Sequence, residues 1–396
     1  MTKHHVVIVG AGFGGLAAAH GLCGPNVCIT LIDKQNHHLF QPLLYQVATA
    51  GLSPADIAAP IRTIVKHHRD TNVLLDEVCG VDKAARCVRL KSGATVGYDT
   101  LILATGARHS YFGNDHWEAF APGIKTIDDA TRVRRSILIA MERAETLRQE
   151  NIAERDEYLT FAVIGGGPTG VEMAGAIAEL TRHAAEMDFR HITRKCLRIV
   201  LIEAGQRLLA TFPEALSVKA RASLEQLGVE VRTGVRVTEI TANSVVVDGK
   251  VLPAATIVWA AGVQASPAAT WLGVTGDRAG RVAVGSDLSV EGHPDIFVIG
   301  DTSATLRADG RPVPGIAPAA KQQGAHVAQV VNARLKGRPA PHHSATATSA
   351  ILRRSGASAR SSISGASRCR AFRRGRYGRP RTFISSSAFA AVSRSA

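Results

Sequence analysis

Aromatic residues are scarce in this chain: Phe, Trp and Tyr make up 5% of it, against 45% hydrophobic residues in all. No apolar run is long enough to cross a bilayer. The N-terminus, MTKHHVVIVGAG, enters a strand directly, without the charged, apolar and small-residue regions of a signal peptide. The six cysteines (Cys23, Cys28, Cys79, Cys87, Cys196 and Cys369) form no CxxC pair and no zinc-type array. No metal site is therefore expected, and reduced thiols in a cytoplasmic protein fit best. Acidic residues are missing in one place. From His342 to Ala396 there are eleven arginines and no Lys, Asp or Glu, which leaves only +3 of the net charge of +14 for the first 341 residues. The basic balance belongs to the tail, and no nucleic-acid partner is expected of the near-neutral body. At 396 residues the chain is long enough for two or three cores, as in a two-domain enzyme.

What is present is one plan used twice. VVIVGAGFGG is an apolar strand running into Gly10, Gly12 and Gly15, with Phe13 and Gly14 between them; FAVIGGGPTG repeats it with Gly165, Gly167 and Gly170. In a GxGxxG turn the first glycine permits the tight bend and the second admits the backbone to a pyrophosphate. The third lets the helix pack closely on the strand. The helix N-terminus then offers amide donors and a partial positive charge. Alone the pattern is weak, but here an acid ends each following strand: Asp33, eighteen residues past Gly15, and Glu203. A carboxylate at that point holds ribose hydroxyls, so both halves read as dinucleotide sites. At the second, an acid favours the unphosphorylated ribose of NADH, and nearby Arg207 moderates that preference. Each half also ends in a strand and turn, TLILATGA in the first and TIVWAAGV in the second. Two such sites suit a bound flavin and a visiting nicotinamide, whose stacked rings pass a hydride directly.

Two further acids stand out. Asp301, in VIGDTSA, ends a buried strand, where it either binds the hydroxyls of a ribityl chain or caps the next helix. Glu172 lies near the start of the helix after the second glycine turn and has no counterpart in the first. It reads either as an acid stabilised by the helix dipole or as a carboxyl whose pKa is shifted beside an apolar ring system.

Longer stretches resemble type II NADH dehydrogenases, the FAD enzymes that pass electrons from NADH to a membrane quinone without pumping protons. They are NHHLFQPLLYQVATAGLSPADIAAPIR, GGGPTGVEMAGA, VLIEAGQRLL, VWAAGVQASP and GIAPAAKQQG, and the resemblance spans about residues 4 to 340. It implies an α/β fold of two Rossmann-like dinucleotide-binding domains, glutathione-reductase-like, with the NADH domain inserted into the FAD domain. It also implies that Gly10, Gly12, Phe13, Gly14, Gly15, Asp33 and Lys34 bind the ADP half of FAD, with the Val78 backbone on the adenine. Asp301, Ala319 and Ala320 would hold the flavin end. Gly165, Gly167, Gly170 and Glu203 would bind NADH, and Glu172 would couple proton delivery to quinone reduction. Lys321, Gln322 and Gln323 would line the quinone side. Homodimerisation and peripheral docking on the cytoplasmic face of the cell membrane are implied as well. Disulfide and sulfide:quinone reductases of similar plan need reactive cysteines that FQPLLYQVATAG lacks.

The expected layout is an FAD domain in two parts (1–126 and 281–340), a linking helix (127–158), an NADH domain (159–280) and a basic tail (341–396). The tail departs from the family, whose members end in amphipathic docking helices with a segment like HIYFLIGFR. Its Arg, Ser, Ala and Gly predict disorder, and RTFISSSAFAAVS permits a coding that reads HIYFLIGFRSRL from the third base, as a shifted frame would. If quinone access is broken there, the rival is a flavoprotein NADH sensor, or an NADH oxidase or diaphorase without quinone activity.

Overall fold

A computed structural model of the chain describes residues 3–22, 24–147, 151–307, 310–339 and 341. Its elements fall into two compact units. The first is built from the described residues of Met1–Leu39, Ala58–Arg108 and the chain from Val263 onward; the second is built from Phe40–Ile57 and His109–Gly262.

The chain begins with β1 (His4–Val9), α1 (Phe13–Gly21) and β2 (Val27–Asp33), followed by the short helix α2 (Leu44–Ala48) and β3 (Thr71–Leu75). An antiparallel meander, β4 (Val78–Asp82), β5 (Cys87–Leu90) and β6 (Thr95–Gly97), precedes β7 (Thr100–Leu103). Helices α3 (Ile127–Thr146) and α4 (Ile152–Tyr158) lead into β8 (Thr160–Ile164), α5 (Pro168–Met187), β9 (Arg198–Glu203), α6 (Glu214–Gln226) and β10 (Val229–Thr233). A second meander, β11 (Val237–Ile240), β12 (Ser244–Val247) and β13 (Lys250–Pro253), precedes β14 (Thr256–Trp259). Then β15 (Ser289–Val290), β16 (His293–Val298) and α7 (Ala317–Leu335) follow.

In the first unit the strands line up as β15–β16–β7–β1–β2–β3, parallel except for β15 against β16. Alternation along β1 explains why both faces are covered. Val6 and Ile8 point into a cluster with Leu16, Leu22, Val327 and Val330 of the helices, whereas Val7 and Val9 join Val81, Val88 and Leu90 of the meander. The chain leaves β1 toward β2 on one side and returns as β7 on the other. A crevice therefore opens where these strands end, the position at which open α/β sheets bind ligands. Helices α1 and α7 cross very closely, because a side chain on Gly324 would lie 2.2 Å from the Gly14 carbonyl oxygen.

The second unit repeats the core in smaller form: β10–β9–β8–β14, all parallel, with Val163 registered between Leu201 and Val258. Its own meander packs Ile240, Val245 and Leu252 against Ala162, Val200 and Trp259. The segment expected as one linking helix is two, α3 and α4, and α3 is part of this unit's body. It opens on a capping box, in which the Asp129 amide donates to Thr126 Oγ1 and the Thr126 amide donates to Asp129 Oδ2. The meanders escaped the sequence reading because short antiparallel strands without a strong turn pattern leave little periodic signal.

Candidate functional site

Each unit builds a glycine turn at the end of its first strand, and the three glycines of each turn meet different constraints. Gly10 has φ +101° and a side chain there would stand 2.4 Å from the Ala104 carbonyl oxygen; Gly165 has φ +114° and stands in the same relation to Ala260, at 2.5 Å. A side chain on Gly15 would lie 1.8 Å from the Gly10 oxygen, and one on Gly170 would lie 1.8 Å from the Gly165 oxygen. These four glycines are required by the fold itself. The middle glycines differ: among the described residues, chain neighbours aside, no atom lies within 4 Å of a side chain built on Gly12 or Gly167. Each is the N-cap of its helix, α1 or α5, in extended backbone. Among the described residues none demands glycine at these two positions, and the space they clear could admit a ligand to a helix N-terminus.

The two acids also correspond. Asp33 Oδ2 accepts from the Ala11 amide at 2.6 Å and Oδ1 accepts from the Gln35 amide at 2.8 Å. Glu203 Oε2 accepts from the Gly166 amide at 2.5 Å and Oε1 from the Gly205 amide at 2.6 Å. Each carboxylate thus ties the residue after the first glycine to the backbone two residues beyond itself. Every oxygen keeps a further lone pair for a ribose hydroxyl. This bracing role was not visible in the sequence, where an acid at a strand end shows only its position.

Around the first loop the structure gathers most of the expected group. The Ala320 carbonyl oxygen lies 3.3 Å from where a Gly14 side chain would begin, which brings the start of α7 beside the glycine turn. A cavity of about 200 Å³ is lined by Gly300, Asp301, Gly315, Ala319, Ala320 and Gln323. Asp301 sits in a single turn, Gly300–Thr302, not at the cap of a longer helix. A side chain on Gly315 would press to 2.9 Å on its carboxylate. Gln323 is buried and committed at both ends: Oε1 accepts from the Gly300 amide at 2.6 Å and Nε2 donates to Thr305 Oγ1 at 3.1 Å. It latches α7 to the turn that carries Asp301. Gln322 has a buried Oε1 with no hydrogen-bond partner among the described residues, and exposed Lys321 places its ammonium 5.4 Å from the centroid of the Phe13 ring. His38, which the sequence did not single out, meets the same ring edge-on at 4.9 Å and bonds the Ala11 oxygen through Nδ1. Burial, followed in order by smaller effects that include the Lys321 charge, lowers its pKa. The preceding tract of polar residues hid it, since its role depends on β2 turning back toward the loop. Val78, at the start of β4, is buried, and Lys34 is exposed.

In the second unit Glu172 is the fifth residue of α5, past its first turn. It is half-buried, and no hydrogen-bond or ion-pair partner meets its carboxyl among the described residues. Desolvation alone pushes its pKa from the ordinary 4.5 up to about 7. A helix N-terminus would move a carboxyl the other way, but that field falls off within the first turn, and Glu172 lies past it.

The pyridine nucleotide-disulphide oxidoreductase family matches residues 4–324. Among curated proteins, the type II NADH:quinone oxidoreductase Ndh of Mycobacterium tuberculosis is 46% identical over 347 residues, 85% of this chain and 73% of that protein. The chain belongs to the type II NADH:quinone oxidoreductases. The type II NADH:quinone oxidoreductase of Staphylococcus haemolyticus is 31% identical over 85% of this chain and 84% of its own length. Among solved structures, NDH2 from Plasmodium falciparum in complex with NADH superposes with a TM-score of 0.76 at 22% identity, over 83% of each chain. A sulfide:quinone oxidoreductase from Aquifex aeolicus reaches a TM-score of 0.70 at 20% identity over 85% of this chain and 78% of that one. At such identities both show the shared fold alone. The expected α/β fold and the family resemblance are therefore borne out. Among the described residues no helix is long and apolar enough to cross a membrane. The expectations for the tail, its disorder and its shifted frame, lie outside the described residues.

Proposed function

We propose that this type II enzyme oxidises NADH through FAD bound in its first unit and reduces a quinone, with NADH visiting its second unit. The observation behind this assignment is the pair of glycine turns, each with a middle glycine that no described residue requires and an acid braced beneath it. FAD fits the first turn because the space at Gly12, the helix N-terminus and the cavity at Asp301 lie in one unit beside Ala320. Gly10 to Gly15 with Asp33, Lys34 and Val78 would hold its ADP half, and Asp301, Ala319 and Ala320 its flavin end. Bound there, FAD supplies two-electron chemistry, accepting a hydride from NADH and yielding electrons to quinone.

The protein's own task is then to bind, orient and manage protons. Gly165, Gly167, Gly170 and Glu203 would seat NADH against the N-terminus of α5. Glu172, with its carboxyl near neutrality and no fixed partner, would hold a proton at neutral pH and release it toward the quinone as charge develops there. Lys321, Gln322 and Gln323 would face the quinone side, although the latch made by Gln323 gives that residue a structural duty as well. Access to quinone would be from the cytoplasmic face of the membrane, with the enzyme a peripheral homodimer.

The test is anaerobic. NADH added to purified protein should bleach the flavin's visible band, and a short-chain quinone added next should restore it. Bleaching without recovery would reduce the protein to a diaphorase, and absence of bound flavin would overturn the assignment.

A further inference from the structure

The segment after Glu203, AGQRLLATFPE, contains a single cation, Arg207, at the place where a coenzyme's 2′-phosphate would need one. The structure turns that cation away. Its Nη1 donates to the Phe212 carbonyl at 2.9 Å and its Nη2 donates to the Ala210 carbonyl at 2.8 Å, so the guanidinium fork closes on the turn that follows it. The same turn holds Leu209 with φ +50°, a backbone that a γ-branched residue keeps only under constraint. From that conformation the Leu209 amide donates to the Gly166 carbonyl at 2.8 Å. The Gly166 amide is itself the one that Glu203 accepts. Leu208 closes the unit from the other side, its carbonyl taking the Ser217 hydroxyl at 2.6 Å. The guanidinium, the turn, the glycine loop and the acid thus form one connected chain of hydrogen bonds within the second unit.

We propose that Arg207 is a positioning residue of the nicotinamide-coenzyme loop: by clasping the Ala210 and Phe212 carbonyls it holds Leu209 on Gly166, and it withdraws from the ribose end the cation that AGQRLLATFPE offers there. Arg207 therefore sharpens the selection of NADH, where its position in the sequence suggested that it would soften it. The inference rests on the assignment of NADH to this loop. Glu203 repels a 2′-phosphate, and Arg207, spent on carbonyls, does not counter that repulsion.

The experiment measures KM and kcat for NADH and for NADPH, with a soluble acceptor, in the FAD-loaded wild type and in Arg207→Ala, Arg207→Lys and Glu203→Gln. Loss of the clasp should raise the KM for NADH by roughly tenfold while kcat changes little, as expected for one or two hydrogen bonds that hold a binding loop. Lysine should not rescue, since one ammonium lacks the fork that reaches two carbonyls. NADPH turnover should be no lower in Arg207→Ala than in the wild type, and Glu203→Gln should gain little NADPH use while Arg207 stays clasped. An unchanged KM for NADH in Arg207→Ala overturns the clasp. A selective loss of NADPH turnover in that variant overturns it too, by showing that Arg207 swings to the phosphate. If Arg207→Ala fails to retain FAD, Arg207→Lys decides alone, and wild-type KM in it overturns the proposal. A wild type that holds FAD and oxidises neither coenzyme would instead remove the functional assignment on which the inference depends.

Discussion

Gly12, Gly15 and Gly167 differ by one test that alanine scanning can perform. Gly12→Ala and Gly167→Ala should melt near the wild type when all are compared free of FAD, because their new methyl groups meet no atom of the described residues beyond their chain neighbours. The first should lose FAD and the second should raise the KM for NADH, read from flavin content and steady-state kinetics. Gly15→Ala, whose methyl would begin 1.8 Å from the Gly10 oxygen, should instead lose stability by about 2 kcal/mol or more, seen in thermal melts without added ligand. Glu172 supplies a pH signature. Its pKa is higher in the folded chain than the ordinary 4.5, so between about pH 4.5 and 7 the folded state binds the extra proton and stability falls as pH rises. Glu172→Gln should therefore melt a few degrees higher than wild type at pH 8 and at the same temperature near pH 4. The same substitution should remove the decline in quinone reduction as pH rises through about 7. Equal melting at pH 8 would show that the carboxyl is solvated after all.

At the scale of elements, the crossing of α1 and α7 is a close contact near the first loop. Gly324→Val should force the helices apart, against the Gly14 oxygen at 2.2 Å, and cost about 2–3 kcal/mol together with FAD affinity. Gln323→Leu keeps the bulk but strands the Gly300 amide, while the Thr305 hydroxyl keeps Ser303 as its partner, a loss of about 1–3 kcal/mol for one buried unpaired donor. Wild-type flavin content and melting in that variant would show that the latch is dispensable. The strand–turn–helix units around Gly10 and Gly165 were legible from sequence because apolar runs, glycine spacing and a following acid are local signals. The meanders and the division of the linking segment into α3 and α4 were not, because those elements are set by what they pack against. His38, and the latch that Gln323 makes besides its expected place on the quinone side, escaped for a related reason, since the partners lie 27 and 23 residues away along the chain.

For the whole molecule, every described binding element precedes residue 341, and eleven arginines follow it. A chain ending at Pro341 should keep its FAD and oxidise NADH with a soluble acceptor at a rate within about twofold of the full chain. Flotation with anionic vesicles should separate the two proteins: the full chain should bind at low salt and release as salt rises, and the shortened one should not bind. Loss of FAD on shortening would assign the tail a part in the fold.

By itself the sequence determined the repeated plan, the positions of both glycine turns and the family. Each of these is written in residues near one another and in backbone conformations that few residues other than glycine adopt. Tertiary structure alone decided which glycines the fold requires and which it leaves for a ligand, because that depends on atoms such as the Ala104 and Ala260 carbonyls, far away along the chain. It also decided that the Glu172 carboxyl has no partner among the described residues and that burial raises its pKa to about 7, and that the cation beside Glu203 is turned onto its own backbone. Charge and hydrogen bonding act through space, and only the folded chain fixes those distances.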